Sequence, residues 1–323
     1  MQTKKFWSGP FLIMIAASLW AVDALLRGIL IKTMPPASIV FFEHLIGFLI
    51  LLPLFIRYIP KFKTLTARDW LILLGLTVVS SALGTLLFTE ALSRSFALYD
   101  FATPVLLLKL QPIFVIILAA IFLKEKLTGR FLALVPVALV GSYLISFGWH
   151  TVPLVFSNRA IVYLLSIGAT CAWGAGTILS KAALKKLSFS EATVMRYALA
   201  IPVTAIFMFS LRQTYGISQL ELNQILRLVI IAFTTGAAAI FIYYKGLQHT
   251  EAKVSTIAEL MYPIISILIA ITALNPYGAP QKLSIANIVG IILLFAAILK
   301  ISVDYSAQKS QSPSTKSQTN LNV

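Results

Sequence analysis

The chain has 323 residues, 59% hydrophobic and 11% charged, with a net charge of +15 and a mean hydropathy of +0.91. Soluble domains carry roughly a quarter of their residues as charges, so a water-covered globule of this size is excluded and lipid is the expected solvent. The positive balance does not indicate a nucleic-acid partner, because Lys and Arg fall in short gaps between apolar runs and aromatics do not interleave with them.

A membrane span needs about 20 mainly apolar residues. Lys4 and Lys5 precede an apolar run too long for a signal-peptide core, and no clear small-residue cleavage site follows. It reads as a retained first span, 9–31. Further spans are expected at 37–59, 70–92, 100–122, 128–148, 160–183, 190–211, 225–245, 252–274 and 284–302. The connections are too short for a soluble domain. The last stretch, 305–323, is rich in Ser, Gln, Thr and Lys and reads as a disordered cytoplasmic tail. The expected fold is therefore an all-α membrane protein of ten transmembrane helices.

The short loops set the orientation. With the N-terminus inside, Lys32, Arg94, Arg159, Arg212, Arg227 and Lys282 lie outside, and Arg27, Lys109 and Arg196 lie within spans, leaving seventeen of the 26 Lys and Arg inside. Both termini are expected to be cytoplasmic, in the inner membrane.

The chain also repeats itself. "SLWAVDALLRGILIK" lies over "CAWGAGTILSKAALK" at a shift of 153, pairing Trp20 with Trp173, and the same shift places Glu43 on Arg196. "KLQPIFVII" lies over "LMYPIISIL" at a shift of 151, pairing Pro112 with Pro263. The halves are 1–150 and 151–304. Five spans per half force the second half into the membrane the other way up, an inverted repeat. The loop charges agree: Lys124, Lys126 and Arg130 follow span 4, whereas only Lys282 follows span 9.

Trp20, Trp173, the segments at Pro112 and Pro263, and "FLKEKLT" at Phe122–Thr128 together resemble the drug/metabolite transporter superfamily in its ten-span, two-EamA-domain form. The resemblance covers 9–302. "FLKEKLT" is similar to the family's "LGE-x-L" ending of the fourth span, with Lys124 where Gly is usual; the second half has no matching Glu. Arg196 sits where the family often has Arg, and Glu43 replaces it in the first half. The resemblance implies secondary transport, often export of amino acids or related metabolites.

No catalytic motif and no P-loop occurs, so neither an enzyme nor a directly ATP-driven pump with an ATPase subunit is expected. The single cysteine, Cys171, and three histidines, with His150 and His249 in loops, suggest neither a disulfide nor a metal, and no cofactor is expected.

The informative residues are the charges inside spans: Asp23, Arg27, Glu43, Lys109, Arg196 and Glu259, with His44 and Glu90 beside them. Six such groups facing lipid would cost roughly 18 kcal/mol on insertion scales, so they must pair or line a wet cavity. Asp23 and Arg27 share a helix face and reach the depth of Glu43. That cluster, with Glu90 and Arg196, is the candidate gating or coupling set. Lys109 and Glu259 fall at nearly equivalent places on spans 4 and 9, near the midplane, each just before a proline that frees a carbonyl. They are candidate substrate-binding residues together with Trp20, Trp173 and Tyr262, and Pro112 and Pro263 are candidate helix breaks. Tyr243, Tyr244 and Lys245 read as an interfacial anchor. Gly84, Gly174 and Gly176 read as close-packing positions.

The resulting reading is a carrier working by alternating access on small polar or zwitterionic metabolites, amino acids first, with protons as a candidate coupling ion. The alternative is uptake or exchange of a partly anionic cofactor-like or nucleotide-derived metabolite. A lipid-modifying membrane enzyme would need a clustered His and Asp set at one interface, and a receptor would need a signalling tail.

Overall fold

The structure is a computed structural model that describes residues 8–97, 102–152, 160–275 and 279–311. Lys4, Lys5, Arg159 and Lys316 lie outside them. In hydrocarbon every backbone N–H and C=O must be paired inside the protein, so apolar runs of this length fold as helices. Among the described residues there is no strand. Among the described residues nine helices are long and apolar enough to cross a membrane, and a shorter apolar helix covers Leu106–Phe122.

In chain order the helices are α1 (Ser8–Leu30), α2 (Pro36–Phe62), α3 (Ala67–Leu76), α4 (Thr85–Ala97), α5 (Ala102–Leu108), α6 (Gln111–Phe122) and α7 (Gly129–Phe147). The second half supplies α8 (Ala160–Ala183), α9 (Phe189–Ser210), α10 (Leu222–Ile230), α11 (Ala239–Leu247), α12 (Ala252–Ala258), α13 (Met261–Ala270) and α14 (Ile285–Gln311). Span 3 is α3 and α4 joined by a π-helical stretch, Thr77–Gly84. Span 8 is α10 and α11 joined by another, Ile231–Ala238. The last helix corrects the expected tail boundary: it continues to Gln311, where the Tyr305 hydroxyl and the Lys309 ammonium both donate to the His249 carbonyl.

The packing obeys the inverted repeat. Span 1 packs on span 8 (α1 on α11), and their counterparts, spans 6 and 3, pack on each other (α8 on α4). Span 2 packs on span 7 (α2 on α9) and span 5 on span 10 (α7 on α14), so each half supports the other. Gly141 and Gly290 let spans 5 and 10 touch through their backbones. A Cβ on Gly141 would stand 2.7 Å from the Leu294 nitrogen, and one on Gly290 would stand 2.7 Å from the Gly141 carbonyl oxygen. Two helix starts at the end where α1 begins are fixed by reciprocal caps, Thr66 with Asp69 and Ser188 with Glu191. Asp69 also accepts from Lys186 at 2.8 Å, tying these two corners together.

Spans 4 and 9 are interrupted at matching points. α5 stops at Leu108 and α6 starts at Gln111; α12 stops at Ala258 and α13 starts at Met261. The intervening pairs are Lys109–Leu110 and Glu259–Leu260. Pro112 and Pro263 fall in the first turn of the helix after each break, where a missing N–H costs nothing. The element ends place Lys109 directly on Glu259, one residue from the pairing given by aligning the prolines.

Candidate functional site

The breaks open onto a central cavity of about 250 Å³. It is lined by Trp20, Asp23, Arg27, Glu43, Lys109, Pro112, Trp173, Arg196, Glu259, Tyr262 and Pro263, so all but one of the candidate residues meet there. Glu90 is the exception. It is ion-paired to Arg94 at 2.9 Å, off the cavity. His44 joins the lining with its Nδ1 2.7 Å from the Val40 carbonyl.

Three polar groups divide the cavity. The first is built on Arg27, which donates to Asp23 at 2.6 Å, Glu43 at 2.7 Å and Thr89 at 3.2 Å. Thr235 donates to Asp23 at 2.8 Å. The i, i+4 spacing on α1 makes the first of these pairs; packing of α2 on α4 places Glu43 and Thr89 beside Arg27, and packing of α1 on the π-helical stretch of span 8 brings Thr235 to Asp23. Two carboxylates share one guanidinium, which fixes the geometry of the cluster.

The second group surrounds Arg196, which donates to Ser81 at 2.5 Å, Tyr244 at 2.9 Å and Ser80 at 3.2 Å. Among the described residues no carboxylate pairs with it. The π-helical stretch of span 3 presents the two serines, and Gly176 gives Ser80 its room, since a Cβ there would overlap the Ser80 side chain.

The third group is at the breaks. Lys109 donates to Ser142 at 3.2 Å. Glu259 accepts from Tyr243 at 2.9 Å, Ser255 at 3.0 Å and Gln111 at 3.0 Å. Lys109 and Glu259 form no ion pair with each other. Aromatic faces complete the wall: Trp20 lies 5.2 Å from Tyr243, and Trp173 lies 5.2 Å from Phe88.

Tyr243 and Tyr244, expected at a lipid interface, are instead buried and bonded to the two groups just described. Two adjacent tyrosines followed by a lysine look alike in either role; only packing tells them apart. Gln111, Ser80, Ser81 and Thr235 were also missed. Gln111 was visible, as an amide two residues from Lys109 inside an apolar span. The serines carried no signal, because nothing in the sequence marks a π-helical stretch.

Past the breaks, toward the end where α1 begins, α6 and α12 run side by side. There α6 packs on α12 through Val115, Ala119 and Ala252. Glu125, just past α6, accepts the backbone N–H groups of Ala252 and Lys253 at 2.7 and 3.0 Å. The Lys253 ammonium returns to the Lys126 carbonyl at 2.5 Å. Burial pushes the Glu125 carboxyl above the usual range, against these two N–H bonds. Lys124 adopts φ 55° to aim Glu125, the conformation that glycine takes most readily. On the far side of the breaks, α5 packs on α4, α7 and α8, whereas α13 packs on α1 and α7.

The EamA-like transporter family model matches residues 7–147 and 160–303. The chain is 33% identical over 320 residues to the riboflavin transporter ImpX of Fusobacterium nucleatum, covering 91% of this chain and 97% of that protein. It is 22% identical over 280 residues to an uncharacterized transporter of Clostridium kluyveri, covering 85% of each. A crystal structure at 14% identity superposes with a TM-score of 0.73, over 94% of this chain and 99% of that one, a likeness of fold.

Proposed function

The chain belongs to the EamA-like transporter family, and from that premise we propose that this multi-pass membrane transporter carries a flat, polar heteroaromatic metabolite of the riboflavin class. The observation that carries the reading is the cavity at the paired helix breaks, where aromatic faces and hydrogen-bonding groups line one space. Trp20, Trp173, Tyr243 and Tyr262 offer surfaces for a ring system. Lys109 and Gln111 offer donors for ring carbonyls and nitrogens. The riboflavin transporter at 33% identity supports the same substrate class.

A second reading keeps the amino acid. Lys109 and Glu259 present an ammonium and a carboxylate from equivalent breaks without neutralising one another, which suits a zwitterion moved outward. In either reading transport proceeds by alternating access in the inner membrane, with both termini cytoplasmic. The excess of Lys and Arg in the segments on the N-terminal side supports that orientation.

The test is counterflow in proteoliposomes loaded with unlabelled riboflavin and given labelled riboflavin outside. Saturable accumulation is expected. Accumulation of labelled amino acids with no riboflavin signal would transfer the function to the second reading. Accessibility tags on each terminus check the orientation.

A further inference from the structure

We propose that Glu259 is the carboxylate that takes up and releases the proton coupled to transport, which rests on the carrier reading above. The argument comes from its hydrogen-bond partners. A carboxylate that alternates between two protonation states needs neighbours that suit both. When ionised it only accepts; when protonated it must also donate one bond. Neighbours that can only donate lock it in the ionised state.

The cavity carboxylates differ in this respect. Asp23 and Glu43 are held by Arg27 at 2.6 and 2.7 Å. A guanidinium has five donors, no acceptor and no accessible neutral form. Thr235 on Asp23 and the second oxygen of Glu43 leave room for a proton, but protonating either acid gives up its ion pair with a cation that stays charged. Glu90 is paired with the exposed Arg94, also accepts from the Gln213 amide, and stands off the cavity.

Glu259 has a different set of partners: Tyr243, Ser255 and Gln111. Each can reverse. The Ser255 hydroxyl rotates to accept. The Gln111 amide turns to present its oxygen. The Tyr243 hydroxyl can swing its hydrogen toward Thr177 Oγ1, 3.3 Å away, and accept from Glu259 instead. Both forms of the acid are thus satisfied with no movement of a helix.

Glu259 is also placed to feel the transport cycle. It occupies the break in span 9, it lines the cavity, and its partners come from α6, α11 and α12. Of these, α6 and α12 pack on each other at one end of the cavity. Changing the proton on Glu259 therefore changes bonds between the two helices that must part for the cavity to open at that end.

The other ionisable groups around it are accounted for. Tyr243 from α11 is in contact. Across the cavity stand Lys109 on its break, the Asp23–Arg27 pair of α1, Glu43 and His44 of α2, and Arg196 of α9. None of these is bonded to Glu259. Lys181 of α8 is bound to the carbonyls of Leu247 and Thr250. Arg130 at the start of α7 pairs with Asp304 of α14, as does Lys300.

Two measurements test the assignment. In the first, purified protein is titrated in lipid and the protonated-carboxyl C=O infrared band is followed, wild type minus Glu259→Gln. The expected difference band appears at low pH and disappears at high pH. A band absent throughout, or present throughout, overturns the proposal whatever the cargo. In the second, riboflavin uptake into proteoliposomes is compared with and without an imposed pH gradient. Wild type is expected to show stimulation by the gradient. Lys109→Ala is expected to be slower with the same ratio, and Glu259→Gln to have a ratio of one. A gradient response retained by Glu259→Gln, or absent from wild type, overturns the proposal. Absence of riboflavin flux in every protein overturns the riboflavin reading, and the infrared titration still decides the proton site.

Discussion

Lys109 and Glu259 occupy the same break in the two copies of one span, yet each bonds its own partners: Lys109 to Ser142, Glu259 to Tyr243, Ser255 and Gln111. A purely structural pair would close up. Their separation keeps both available to a cargo or a proton.

Lys109→Ala removes an ammonium whose one described partner is a serine hydroxyl. The expected result is a fall of about tenfold in riboflavin counterflow, the size of one lost charge-assisted hydrogen bond, with normal membrane insertion. Flux at the wild-type level would remove Lys109 from the binding surface.

Arg27→Gln leaves Asp23 and Glu43 buried together without their cation. Removing one partner of a buried ion group costs about 3–5 kcal/mol, so a large drop in melting temperature in detergent is expected. The double variant Arg27→Gln/Glu43→Gln should recover part of the loss, because it removes the like-charge repulsion. A double variant as unstable as the single would show that Arg27 acts through packing.

The Glu125 cap on α12 predicts a pH dependence. Its folded-state pKa is raised, so the stability tied to this group is fully present below the unfolded value and declines as pH rises through the raised one. Glu125→Gln keeps an accepting oxygen and should flatten that slope in melting temperature against pH. Glu125→Ala removes the cap as well, at about 1 kcal/mol, and should raise amide exchange in Ala252–Ala258. Unchanged exchange there would mean that α12 does not depend on Glu125.

Lys124→Gly should raise the melting temperature. The left-handed backbone at Lys124 costs a side-chain-bearing residue about 1–2 kcal/mol, partly offset by the greater freedom of glycine in the unfolded chain. A fall in melting temperature would show that the Lys124 side chain contributes more than the strain.

Gly141→Val should separate spans 5 and 10, because the added atoms meet backbone that cannot rotate away. A cost of about 1–3 kcal/mol is expected. Gly129→Ala, where an added Cβ meets nothing within 4 Å, serves as the control and should be neutral.

Much of the architecture was legible in the sequence, because lipid imposes one rule on every span: an apolar run of sufficient length must be a helix. Trp20 over Trp173 and Pro112 over Pro263 exposed the duplication, and five spans per half made the inversion unavoidable. The charges inside spans marked the cavity because each is too costly to face lipid. The sequence was weaker on neutral groups. Ser80, Ser81, Tyr243 and Tyr244 incur little or no penalty on the lipid side, so nothing singled them out until folding brought them to Arg196 and Glu259.

The sequence by itself therefore determined the helices, their repeat and which charges must be buried, since these follow from the solvation cost of single residues and of runs. Only the tertiary structure decided which charges pair. Arg27 has two carboxylates, Lys109 and Arg196 have neutral hydroxyls, and Glu259 has partners that can either donate or accept a hydrogen bond. Pairing depends on where helices cross and on two π-helical stretches, and distances of 2.5 to 3.3 Å between residues as far as 212 apart in the chain are properties of packing that no local pattern carries.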